Sequence, residues 1–248
     1  MKNHEHNRII GFLFFFLFLL QGNLFSETYQ YKISCLGIRV VDIHISNQAS
    51  SSTGFLQVLA KSRFITSIFP YVHNTYSTTY ENGFLPLTYE KKVDQKKYFE
   101  NRLITYDRTK GTAVQWDRLK DTRIPYPITR ESRDFFSALL YLSSHVENEG
   151  VLWLDANRLI WKANYQRVGR ENIKTAIGKV PAVKLKMQFQ KVSPEPKENT
   201  DMMTNQLVNE ENTLYLWISD DGRHLPLKAK YERKPFPVYW EILSYKAE

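Results

Sequence analysis

From Thr28 onward, apolar and polar residues alternate in short runs that recur roughly every 8–12 residues, the period-two signature of strands with one buried face. Tyr29, Tyr31, Ile33 and Cys35 share one face, with Thr28, Gln30, Lys32 and Ser34 on the other. After Gly37, the residues Val41, Ile43 and Ile45 define the inner face of a second strand. The same grammar predicts strands over residues 55–60, 75–80, 84–89, 98–106 and 112–116, and then over 164–170, 179–189, 214–218, 225–231 and 238–245. Asn82-Gly83 and Asp221-Gly222 read as two-residue hairpin turns, because both positions of such a turn need residues that tolerate positive φ. The expected fold is therefore mainly β: one domain over residues 27–248, built as an antiparallel, strongly curved sheet or half-open β-barrel.

One stretch breaks the alternation. Over residues 132–145, Phe135, Leu139 and Leu142 fall on one helical face with Phe136 and Leu140 beside them, which predicts a single buried helix packed on the sheet. Ser132 is its expected N-cap, with Asp134 in the first turn. Residues 193–211 are polar and aperiodic and read as a flexible loop. A weak internal echo joins Leu85-Pro86-Leu87 to Leu225-Pro226-Leu227. Proline cannot donate to a ladder, so each strand is expected at a sheet edge or beside a bulge, and two edges would bound an open cleft.

The N-terminus follows a different rule. Residues 9–20 are twelve uninterrupted apolar residues behind Lys2 and Arg8, the layout of a secretory signal peptide. As a helix they would rise about 18 Å, short of the roughly 30 Å needed to cross a bilayer, so no span is expected after processing. Cleavage is expected after Ser26, with residues 1–26 as the leader, although Leu24 is larger than the usual residue three before the cut. A periplasmic location follows.

Taking away Lys2, Arg8 and Glu5 with the leader reduces the net charge from +8 to +7. The lysines and arginines are scattered rather than gathered, and the nearest approach to a cluster is Lys91, Lys92, Lys96 and Lys97, broken by Glu90 and Asp94. They read as a solvated face, and export argues against a nucleic-acid partner. Cys35 is the one cysteine, which excludes an internal disulfide, and it is expected to face the core.

His44, His73, His145 and His224 show no metal-ligand spacing, and no nucleophile elbow or glycine-rich phosphate loop occurs. Asp42 and His44 share a strand face but read as solvated. Asp220-Asp221 reads as turn chemistry. No catalytic residue, metal or cofactor is expected. The aromatic residues, including Trp116, Trp153, Trp161, Trp217 and Trp240, suit either a plain β core or a concave face wide enough to hold an acyl chain. In the segment Arg-Phe-Ile-Thr-Ser-Ile-Phe-Pro-Tyr, the apolar Phe64, Ile65, Ile68, Phe69 and Tyr71 are the candidate ligand-binding residues, as a lid or as a buried turn.

Several pieces in shared order resemble the bacterial domain-of-unknown-function family 3108: Leu36-Gly37-Ile38, Leu85-Pro86-Leu87, Arg133-Asp134-Phe135-Phe136-Ser137-Ala138-Leu139-Leu140-Tyr141, Gly169-Arg170-Glu171, and Leu216-Trp217-Ile218-Ser219-Asp220-Asp221. The resemblance implies an envelope location and a β-rich fold, and carries no activity. The layout is also similar to the periplasmic lipoprotein carriers, at the level of fold. The expected function is non-catalytic binding of a lipid or acyl chain, or of an envelope partner. The alternative is an assembly factor acting through an exposed edge strand, and an enzyme comes third.

Overall fold

In a computed structural model of the chain, residues 25–63, 71–96, 98–198, 201, 203–204, 207–232 and 235–248 are described. Apart from Phe25 and Ser26, the expected leader lies outside them. Eight strands come first: β1 (Phe25–Cys35), β2 (Ile38–Ala49), β3 (Thr53–Ser62), β4 (His73–Glu81), β5 (Leu85–Gln95), β6 (Tyr98–Asp107), β7 (Thr112–Asp117) and β8 (Thr122–Pro127). The helix α1 (Phe135–Ser144) follows, and then β9 (Glu149–Ala156), β10 (Leu159–Thr175), β11 (Gly178–Lys191), β12 (Thr213–Ser219), β13 (Pro226–Glu232) and β14 (Val238–Ala247).

All fourteen strands join one antiparallel sheet, in the order β8-β7-β6-β5-β4-β3-β2-β1-β14-β13-β12-β11-β10-β9. Each strand pairs with its sequence neighbours except at two places. β1 pairs with β14, which brings the two ends of the sheet-forming chain together, and Ser26 and Glu248 exchange backbone hydrogen bonds at 3.1 and 2.8 Å. Between β8 and β9 the meander stays open, and the helix lies in the crossover between them. The expected curved, half-open barrel with one packed helix is what forms.

The two free edges are blunted. β8 carries Pro125 and Pro127, which cannot donate to a further strand. β9 is covered at one point by Arg133, whose N–H donates to Trp153 O at 3.0 Å while its carbonyl accepts from Asp155 N at 2.8 Å. Neither Leu-Pro-Leu strand is an edge. β5 lies between β4 and β6, and β13 between β12 and β14. The bulge half of the expectation holds at both. Thr79 faces Thr88 and Tyr80 faces Pro86, while Trp217 faces Lys228 and Ile218 faces Pro226. The extra residue in each strand, Leu87 or Leu227, relieves the ladder next to a proline that lacks a donor.

Two turns are longer than expected. Three residues connect β4 to β5, and the positive φ falls on Gly83 and Phe84 instead of Asn82. Six residues connect β12 to β13. Gly222 (φ 83°) and His224 (φ 54°) take the left-handed region, and Ser219 closes the loop by donating its N–H to Leu225 O at 2.8 Å. Cys35 is half-exposed instead of in the core, because the register slips after Ile33 and leaves it beside the Leu36-Gly37 turn.

Inward-facing residues divide the lumen by polarity. On β1, β2 and β10 to β14 they are almost all apolar, among them Tyr31, Ile45, Trp161, Leu185, Leu216 and Trp240. On β4 to β7 they include Asn74, Thr78, Lys91, Gln95, Glu100, Gln115 and Asp117, all buried. Residues 193–211, expected as a flexible polar loop, put Asp201, Met203, Thr204, Leu207 and Val208 inside the sheet's curve. The segment carries the apolar surface and polar partners that a half-open barrel must acquire to fill its interior.

Candidate functional site

The helix supplies one side of the site. Its N-cap is Asp134, two residues later than expected, with Oδ1 accepting from Phe136 N at 3.0 Å and Ser137 N at 3.1 Å. Ser132 is engaged elsewhere, as its hydroxyl accepts from Thr129 N at 3.0 Å. The other carboxylate oxygen of Asp134 accepts from Thr78 Oγ1 at 3.0 Å and Ser137 Oγ at 2.6 Å, which ties the start of the helix to β4. Burial raises the pKa of Asp134, and those donors pull against the rise. Arg133 clamps the other side. Its guanidinium donates to Gly83 O at 3.0 and 2.9 Å and stacks 3.8 Å from the centre of the Tyr141 ring. Phe136 is fixed in the core against the Tyr76 ring, 5.0 Å between centres.

With the helix so held, Phe135 and Leu139, one turn apart, face the apolar wall of the lumen half-buried. Together with Tyr31, Ile45, Leu214, Leu216, Ala229, Trp240 and Leu207 they line an open apolar pocket with a cavity volume of about 30 Å³. Its polar atoms are satisfied at the margins. Tyr31 donates to Pro226 O at 2.9 Å, Asn212 pairs with the Tyr231 hydroxyl, and the Lys228 ammonium meets Glu241 at 3.1 Å. What remains is an apolar surface that can be covered by hydrocarbon without stranding a donor or acceptor.

At the opposite, polar wall, Lys91 is 2% exposed and its ammonium lies 2.7 Å from both Glu100 and Asp201. It also donates to Asn157 Oδ1 at 2.8 Å. The solvated face expected for this lysine is corrected: Lys91 lies in phase with Tyr89 and Val93 on the inner side of β5. Asp201 accepts from Tyr76 OH at 3.0 Å and from Thr204 and Met203 backbone N–H groups at 2.7 and 2.8 Å, and Lys91 holds its carboxyl below the usual range against the opposing effect of burial. At the seam, Asp155 accepts from Tyr106 OH at 2.9 Å and Tyr126 OH at 2.6 Å. Burial raises its pKa to about 6, and those two hydroxyls limit the rise.

Of the residues expected to bind ligand, Phe64, Ile65, Ile68 and Phe69 lie outside the described residues. Tyr71 is half-exposed, shares a 3.4 Å hydrogen bond with His73 Nδ1, and does not line the pocket. His44 is exposed, and Asp42 pairs with Arg39 at 2.6 Å. Asp221 accepts from Arg223 N at 3.2 Å as a turn residue. Among the described residues no group of three or more His, Cys, Asp or Glu could hold a metal, and no helix is long and apolar enough to cross a membrane.

The model of the family described as "Protein of unknown function (DUF3108)" matches residues 30–235, which include the polar wall, the helix and its cap, and the apolar wall except β14. The chain belongs to that family. The Arg133-to-Tyr141 stretch shared in order with the DUF3108 pattern is the clamp, cap and pocket side of the helix. No curated protein matches the chain. In fold it is similar to a β-barrel-like protein of family DUF1849 from Brucella abortus, with 6% identity, 91% of this chain and 98% of that one covered, and a TM-score of 0.58. A candidate lipoprotein from Parabacteroides distasonis covers 89% of this chain and 95% of its own at 12% identity, but its TM-score of 0.36 is too low to bear on the argument.

Proposed function

We propose that the protein is an exported, non-catalytic binder of an acyl chain or similar apolar ligand, held between α1 and the β13-β14-β1-β2 wall. The observation that carries this reading is the open, apolar-lined pocket between the helix and the sheet, whose polar neighbours Tyr31, Tyr231 and Lys228 are internally paired. An acyl chain suits it because burying each methylene contributes about 0.8 kcal/mol without any polar partner. The blunted edges of β8 and β9 favour this over the addition of a partner strand. The leader-like residues 9–20 support a periplasmic site of action. Phe64, Ile65, Ile68, Phe69 and Tyr71 are proposed as an apolar rim that assists entry.

The test is titration with a fluorescent fatty acid. The wild type is expected to bind, and Leu139→Trp, which fills the pocket from the helix side, to bind at least about tenfold more weakly with an unchanged circular-dichroism spectrum. An Ile68→Asp, Phe69→Asp double variant tests the rim in the same assay. Absence of binding by the wild type would overturn the reading.

A further inference from the structure

The polar end of the lumen holds a second, small cavity of about 10 Å³, lined by Lys91, Arg102, Gln115, Tyr126, Asp155 and Arg158 among others. Its cations are unequally committed. Lys91 is held by two carboxylates and an amide, as described above. Arg158 has Glu198 as its ion-pair partner among the described residues, and its Nε is buried without a hydrogen-bond partner among them. Arg102 is shared among three carboxylates, with Nη1 on the same Glu198 at 3.4 Å, Nη2 on Glu100 at 3.4 Å and Nε on Asp117 at 3.8 Å, so Arg158 is the less committed of the two arginines. The Glu198 carboxylate therefore bridges two guanidiniums, the arrangement in which arginine pairs hold carboxylate and phosphate groups.

Glu198 is also the most replaceable member of the group. It comes from the inserted 193–211 segment, and its side chain is 37% exposed, against 12% for Arg102 and 23% for Arg158. A second observation points into the same cavity. Asp155 is buried, and its Oδ1 has no hydrogen-bond partner among the described residues, while Oδ2 takes both tyrosine hydroxyls. An acceptor placed there suits a hydroxyl or a protonated oxygen on a ligand.

We infer that Arg102 and Arg158 form a binding site for an oxoanion, a carboxylate or phosphate group bearing a hydroxyl, for which Glu198 is the built-in competitor. The site is separate from the apolar pocket, since neither arginine lines that pocket. It stands or falls independently of the acyl-chain reading. Because Glu198 occupies the arginine pair, the apparent affinity for an external oxoanion is lowered by the fraction of molecules in which Glu198 is withdrawn.

The experiment is calorimetric titration of the full chain with inorganic phosphate, with dodecyl phosphate, and with dodecanol as the uncharged control. Glu198→Gln, which keeps the shape and removes the charge, should bind at least one phosphate probe about tenfold more tightly than the wild type. Adding Arg158→Gln should abolish that gain, and Arg158→Lys should recover part of it as a point charge. Tightening with inorganic phosphate identifies a free ion as the ligand. Tightening confined to dodecyl phosphate identifies an amphiphile headgroup. Dodecanol should be indifferent to all three substitutions. The inference is overturned if Glu198→Gln binds neither phosphate probe more tightly than the wild type, or if the gain survives Arg158→Gln and Arg158→Lys alike.

Discussion

Asp155 sits where the open meander is stitched together, accepting from Tyr106 of β6 and Tyr126 of β8 on a strand at the opposite edge of the sheet. Burial raises its pKa to about 6, above the value near 3.9 of an unfolded aspartate, so the folded protein binds this proton more tightly than the unfolded chain does. The stability it contributes is full below about pH 4 and is lost as pH rises through about 6. Asp155→Asn removes the titration. In urea unfolding at pH 4 and pH 8, the stability difference between wild type and variant should move by about 3 kcal/mol in favour of the variant at the higher pH. A pH-independent difference would place the raised titration elsewhere. Asp155 and Lys91 also mark what the sequence showed and what it hid. Lys91 keeps step with Tyr89 and Val93, a phase signal that was there to read. Its partner Asp201 is 110 positions away in an aperiodic segment, and nothing local joins them.

At the level of elements, the alternation placed twelve of the fourteen described strands, because a half-buried sheet imposes period two directly on the chain, and it missed the two edge strands β8 and β9. The helix was equally legible from its apolar face, but its start was not. Ser132 and Asp134 are both good caps, and tertiary contacts decide between them: Ser132 closes the Thr129 turn, while Asp134 is anchored by Thr78. Phe136 is 2% exposed and packed against Tyr76, so Phe136→Ala should destabilise the protein by about 3–5 kcal/mol in urea unfolding. A loss under about 1 kcal/mol would mean that the helix is not anchored through this face. The hairpin turns were located correctly and measured too short, since Phe84 and His224 adopt positive φ without being glycine or asparagine. The Leu-Pro-Leu echo was a real signal whose content is a bulge repeated in two interior strands.

For the whole molecule, the pairing of β1 with β14 closes one side of the barrel through contacts between chain ends, as Glu27 facing Ala247 illustrates. No local pattern encodes a contact of that sequence separation, so the alternation could announce a curved sheet without saying where it opens. The opening at β8 and β9, the helix in the crossover and the inserted 193–211 segment together make a lumen with an apolar wall and a polar wall. Leu207 of that segment reaches the apolar pocket, while its Glu198 and Asp201 reach the arginines and Lys91 of the polar wall. The pocket residues Tyr31, Ile45 and Phe135 were recognisable in sequence as inward-facing, but inward-facing residues fill a core unless the fold leaves space between them. Whether an acyl ligand takes up that space is read most directly by native mass spectrometry of the protein isolated from the periplasm, compared with Leu139→Trp. The wild type is expected to carry an added mass that fragments as an acyl lipid and the variant to fly as the bare chain. Bare chains in both, or the same adduct in both, would contradict that expectation.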